Sequence, residues 1–396
     1  MSSDPTPDVA ATARLPAGGR LPGLDLLRAT AIAWTMAYHG SLYGLASGEH
    51  WVVGFGWMGV DLFFVLSGYL IAGQLLRGWA QGRPPAYGTF MARRLFRTLP
   101  AYLCIVALYF ALPALRDRPV IQPLWQFLSF TTNFGLVPPK AFSHAWSLCV
   151  EEHFYLVFPP IAALLATRAR RRGTVLAVAA VLGLGMLVRA GLWLSQAAVP
   201  AFDPLAAADP DRYMTWLYYP TWSRLDGLLA GVVAAAVQVY RPAAWAALTA
   251  RPNRLVVLGA AGVIASAVVF RSQIPGLFGA VLGYPLLAWS LACWVVAATD
   301  PRSVLARRSV PGAHALAAGA YSLYLSHKMV FHLVQVQTAD WPGPVAYARV
   351  ALAAIGALAV GAALYFGVER PFLRLRDRVL ARPAAAGRAV PADARP

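Results

Sequence analysis

Ten apolar runs of about 16 to 24 residues recur along the chain, at 24–45, 55–76, 99–115, 145–166, 174–196, 216–238, 255–270, 276–298, 314–336 and 344–367. An α-helix rises about 1.5 Å per residue, so most of these runs approach the ~30 Å hydrocarbon core of a bilayer. Backbone polar groups in hydrocarbon have to be satisfied within their own segment, which leaves helices as the form the runs can take. The expected fold class is therefore an all-α integral membrane protein, a polytopic bundle of about ten transmembrane helices. The stretch Ile121 to Val137 is also apolar but is interrupted by Pro123 and Asn133. It reads as a re-entrant or interfacial piece.

Charge fixes the expected orientation. Of the 34 Lys and Arg, 24 fall in alternate connections on one side, five in the connections opposite and five inside the runs. The positive-inside rule then puts both termini in the cytoplasm. Residues 1–23, rich in Pro, Ala and Arg, read as a disordered cytoplasmic leader. Residues 24–371 form the membrane domain, and 372–396 a basic cytoplasmic tail held to the inner leaflet by its arginines. A net charge of +17 would suit nucleic acid, but the basic residues sit in short clusters between apolar runs, and no nucleic-acid partner is expected. Cys104, Cys149 and Cys293 show no CxxC or CxH spacing. Neither a disulfide framework nor a metal site is indicated.

Within the first run, Arg28 and His39 are eleven positions apart. At about 100° per residue this is three turns plus roughly 20°, so both project from one face. Ionisable groups are costly in lipid, and such a stripe points to a shared polar cavity. Counting depth along the alternating spans brings Asp61, Glu151, Glu152, Arg224, Asp226 and His327 to the layer of His39. A second layer at the cytoplasmic mouth holds Arg28 with Arg93, Arg94 and Arg97. Guanidinium groups grouped at a mouth suit the phosphates of an anionic cosubstrate. His39 in the other layer is placed as a general base, oriented by Asp61 or Glu151. Ser67 and Gly68 read as helix-packing residues, and Cys149 as a small buried side chain rather than an acyl carrier.

At these residues the sequence resembles the acyltransferase-3 family of bacterial integral membrane O-acyltransferases. The likeness is carried, in order, by LDLLRATAIAWTMAYH, GVDLFFVLSGYLI, RRLFRTLPAY, WSLCVEEHFY, the SRLDGLLAG block, YSLYLSH and VERPF. It implies an enzyme of the inner membrane that takes an acyl group, usually acetyl, from acetyl-CoA or another acyl-CoA and places it on a hydroxyl. The acyl-CoA is a cosubstrate; no cofactor is permanently bound. By the same resemblance His39 and Glu151 are expected catalytic residues, and Arg28, Arg93, Arg94 and Arg97 the donor-binding ones; Asp61 joins the catalytic set by its depth near His39. Trp146, Ser147, Glu152, Arg224, Asp226, Tyr324 and His327 serve the acceptor or support the site. The expected acceptor is a carbohydrate of the cell surface or a lipid-linked sugar, with a secondary metabolite such as a macrolide as the alternative. Membrane lipids surround the domain, and any glycan-assembly partner is expected to be a separate chain. A transporter or flippase is the competing class; it predicts an inverted repeat, and the sequence shows none.

Overall fold

A computed structural model describes residues 21–45, 50–84, 86–167, 171–197, 210–271, 275–341 and 346–380. Most of the expected leader, and the tail from residue 381, lie outside the described residues. Among the described residues there is no strand, and every expected apolar run coincides with a helix. In chain order the long helices are α1 (Pro22–Ser41), α2 (Met58–Ala80), α3 (Tyr87–Ala111), α4 (Trp146–Thr167), α5 (Arg171–Ala197), α6 (Asp226–Tyr240), α7 (Pro252–Val269), α8 (Tyr284–Ala297), α9 (Ala313–Gln337) and α10 (Ala346–Leu364).

Fewer of these helices qualify as membrane spans than the sequence predicts. Six helices are long and apolar enough to cross a bilayer, and seven if α6 is joined to the short helix Pro242–Thr249 across their 114° bend. Those that fall short include α1 and α9, which carry Arg28 with His39 and His327 with Lys328. The shortfall has a physical cause, because these polar side chains lower the hydropathy, and His39 of one helix turns inward to His327 of the other. Between α3 and α4, apart from the 3-10 turns Pro113–Leu115 and Ser143–Ala145, the chain forms one short α-helix, Leu124–Leu128. It buries Phe127 and leaves Leu124, Trp125 and Leu128 exposed, as an interfacial segment would.

The bundle is centred on α2, packed between α1 and α6, with α9 on the other side of α1. Close packing of α2 on α6 follows from facing glycines. A side chain at Gly68 would meet the Leu228 carbonyl, and one at Gly231 would meet the Val65 carbonyl. The expected packing role of Gly68 is thus seen. Its neighbour Ser67 does something else, donating a hydrogen bond to Glu151 Oε1 at 2.7 Å.

Candidate active site

Four helices, α1, α2, α3 and α4, together with α9, enclose a cavity of about 430 Å³. Arg28, Arg77, Arg94 and Arg97 line it together with Glu151, Glu152 and the hydroxyls of Ser67, Ser147 and Tyr324. Its four guanidinium groups outnumber its two carboxylates. Arg94 is braced by the rings of Phe90 and Tyr155, each 5.8 Å from its guanidinium carbon, while its Nε is buried without a partner. Arg28 has only a loose ion pair with Asp25, at 3.7 Å. Guanidinium groups left this free retain donors for an anion. A smaller cavity of about 270 Å³ shares Arg28 and Arg97 and extends past Asp25 to Glu369, whose carboxylate accepts the Ser322 hydroxyl.

Three of the four expected donor residues, Arg28, Arg94 and Arg97, therefore come together. Arg93 does not, because one residue along a helix turns the side chain about 100°, and it is exposed. Gln74 and Arg77 belong to the lining although the sequence reading passed over them; Arg77 was assigned to loop charge.

Beyond the cavity lies a cluster of imidazoles. His39 Nδ1 is 2.7 Å from His327 Nε2, with ring planes within 15° of each other. His144, which the sequence reading did not single out, sits with its ring 5.9 Å from that of His39 and 5.2 Å from that of His327. Its position just ahead of the WSL block left it outside the predicted span. The protons of the pair follow from the partners. His327 Nδ1 lies 3.0 Å from the Leu323 carbonyl, which can only accept, so in the neutral ring that nitrogen carries the proton. His327 Nε2 is then the acceptor and His39 Nδ1 the donor. The lone pair of His39 is left on Nε2, on a side chain that is part-exposed.

Several expectations about this layer require correction. Asp61 does not orient His39: both of its oxygens lie 2.9 Å from Arg224 Nη2. Arg224 itself is enclosed by the rings of Trp146, Tyr218 and Tyr284 at 4.4 to 5.1 Å, which gives Trp146 a supporting place. Asp226 is held by Arg189 at 2.7 and 3.1 Å. Glu151 does not reach His39 either. It lies seven residues past His144, about 10 Å farther along at helical rise, and so falls in the arginine cavity beside Glu152. The partner of His39 is His327 in place of either carboxylate.

Arg28 lines both cavities, whereas His39 lines neither. Tyr324, one turn before His327 on α9, lines the larger cavity with its ring 5.9 Å from that of His327 and its hydroxyl 2.7 Å from Ser147 Oγ. Both hydroxyls lie against the His144 carbonyl, at 3.0 Å for Tyr324 and 3.2 Å for Ser147. Tyr324 and Ser147 belong to the cavity lining, whereas the three imidazoles do not. Cys149 is buried against Thr132 and the Ala145 carbonyl and also lies outside the lining.

A buried ion pair flanks the imidazoles. Lys328 Nζ meets Asp117 Oδ2 at 2.8 Å, and the same carboxylate accepts the Tyr43 hydroxyl and the Phe142 amide. Burial pushes the Asp117 carboxyl up, but Lys328 and these hydrogen bonds outweigh it and hold it at about 2, below its ordinary 3.8. A depressed carboxylate contributes stability that is complete above its unfolded value and is lost as pH falls through the folded one. Acid unfolding of the wild type is therefore expected to draw on Asp117 between about pH 4 and pH 2. In Asp117→Ala that contribution should be absent, measured as a shallower loss of thermal stability over the same range.

The acyltransferase-3 model, described as an acyltransferase domain, matches residues 21–367. The peptidoglycan O-acetyltransferase OatA of Listeria monocytogenes is 31% identical over 234 residues, covering 55% of this chain and 34% of the relative. The O-acetyltransferase OatA of Staphylococcus aureus is 34% identical over 187 residues, covering 42% of this chain and 29% of the relative. The chain thus spans about a third of the length of these curated relatives. No solved structure matches. With the family model covering the membrane bundle from the first helix to the last, the chain belongs to the acyltransferase-3 family of bacterial integral membrane O-acyltransferases.

Proposed function

We propose that the protein transfers an acetyl group from acetyl-CoA to a hydroxyl of a cell-surface glycan or lipid-linked sugar, in the inner membrane of a bacterium. The bundle crosses that membrane ten times with both termini in the cytoplasm. The observation that carries this reading is the arginine-lined cavity, whose Ser147 and Tyr324 hydroxyls rest on the backbone carbonyl of His144, a residue whose ring lies 5.9 Å from that of His39. In this reading Arg28, Arg94, Arg97 and Arg77 take the phosphates of the donor. The thioester reaches toward Tyr324 and Ser147, and these side chains give way for it to meet the acceptor.

His39 Nε2 then removes the hydroxyl proton of the acceptor, whose oxygen attacks the thioester carbonyl. The carbon–sulfur bond breaks, and the leaving thiolate takes the proton back from the imidazolium. His327 holds the His39 ring in the required tautomer. The names of the OatA relatives support acetyl as the group and glycan as the acceptor class.

Membranes supplied with radiolabelled acetyl-CoA should yield labelled glycan. In Arg28→Ala the Michaelis constant for acetyl-CoA should rise about 10-fold or more, as for loss of a charge-assisted hydrogen bond, with kcat largely kept. An unchanged constant would remove Arg28 from donor binding.

A further inference from the structure

The hydrogen bonds of the imidazole cluster leave two lone pairs. His327 uses both ring nitrogens on protein partners, and His39 keeps Nε2. The second lone pair belongs to His144. Its Nε2 faces the Leu325 carbonyl at 3.4 Å, so in the neutral ring the proton is on Nε2 and Nδ1 is the acceptor. That Nδ1 is buried without a hydrogen-bond partner, on a side chain only 2% exposed. Native structures seldom leave such a group unpaired, and a missing ligand is one of the explanations to be sought.

The ring is also fixed in place. Phe142 and Tyr324 meet it edge-on, at 5.0 and 5.4 Å between centroids. Tyr324 and Ser147 hold its backbone carbonyl from the cavity side. The nearest hydroxyls, of Ser147 and Tyr324, are spent on that carbonyl, and the Lys328 ammonium is held by Asp117 and Ser143. The result is a rigid acceptor nitrogen next to the base.

Two lone pairs on rings whose centroids are 5.9 Å apart suit a ligand that donates twice. A monohydric alcohol can satisfy His39 alone, whereas adjacent hydroxyls on a sugar ring can satisfy both nitrogens. We propose that His144 is an acceptor-binding residue. Its Nδ1 receives a second hydroxyl of the acceptor beside the one that reacts at His39, so the enzyme selects substrates bearing two neighbouring donors. The inference rests on the acyltransferase reading with His39 as the base.

The test uses the full chain in lipid nanodiscs with acetyl-CoA as donor. Methyl α-D-glucopyranoside and its monodeoxy analogues serve as acceptor probes. For the wild type, removing the hydroxyl next to the acetylated one should lower kcat/KM about 10- to 100-fold, because a buried acceptor is left unpaired. In His144→Phe, which keeps a ring without the lone pair, the parent sugar and its analogue should be used equally. His144→Asn, which returns an acceptor oxygen near Nδ1, should restore the preference. A purely structural role for His144 would change all acceptors alike and would not be rescued selectively.

The proposal is overturned if the wild type shows no preference for the parent sugar, or if His144→Phe retains that preference. It is equally overturned if acetyl-CoA is consumed without acetylating any sugar probe, a result that leaves the acyltransferase reading standing. Absence of both acetyl-CoA binding and turnover would overturn that underlying reading as well.

Discussion

Replacement of His39 by Ala is expected to lower kcat for acyl transfer by about a hundred- to ten-thousand-fold, the usual contribution of a positioned general base. The affinity for acetyl-CoA should stay close to wild type, since the arginine cavity does not include His39. The geometry makes a second, graded expectation. His327→Phe removes the nitrogen that accepts from His39 Nδ1, leaving the base present but free to adopt the wrong tautomer. Its loss in kcat should be smaller than that of His39→Ala, and combining the two should cost little more than His39→Ala alone. Retained turnover in His39→Ala, with the protein folded and inserted, would remove the imidazole from the chemistry.

Asp61→Ala is expected to destabilise the bundle by about 3–5 kcal/mol, the cost of leaving one member of a buried ion pair uncompensated. Among the described residues Asp61 is the one carboxylate paired with Arg224, whose Nε and Nη1 are already buried without hydrogen-bond partners. The double variant Asp61→Leu with Arg224→Met removes both charges and should recover much of the loss, because a buried pair is often replaceable by apolar packing. Thermal unfolding in nanodiscs distinguishes the possibilities. An Asp61→Ala protein with wild-type stability and no activity would return Asp61 to the catalytic role that the sequence alone suggested.

The contrast between His39 and Asp61 shows what a sequence of this kind discloses. Periodicity within one helix fixes a face and a depth, and so Arg28 and His39 could be placed on one stripe of α1. Hydropathy located all ten long helices, although the polar contents of α1 and α9 leave each of these two short of a span by itself. What one helix cannot reveal is its neighbour. Asp61 and Arg224 are 163 residues apart, and nothing local indicates that this carboxylate turns to Arg224 and away from His39. His144 was missed for a related reason, since it precedes the helix whose period was being read. Arg93 and Arg94 looked equivalent as charges and were separated only by the 100° turn between them.

The hydroxyl pair of Ser147 and Tyr324 has a bearing on permeability. A membrane enzyme with a charged donor on one side and its acceptor on the other risks becoming a pore. Here the polar cavity stops at two small groups bonded to each other and to one carbonyl. The hydroxyl pair forms a partition between the arginine cavity and the imidazoles, which lie outside its lining. In the proposed reaction this partition opens only for the thioester, so ions and protons do not leak through the site between turnovers.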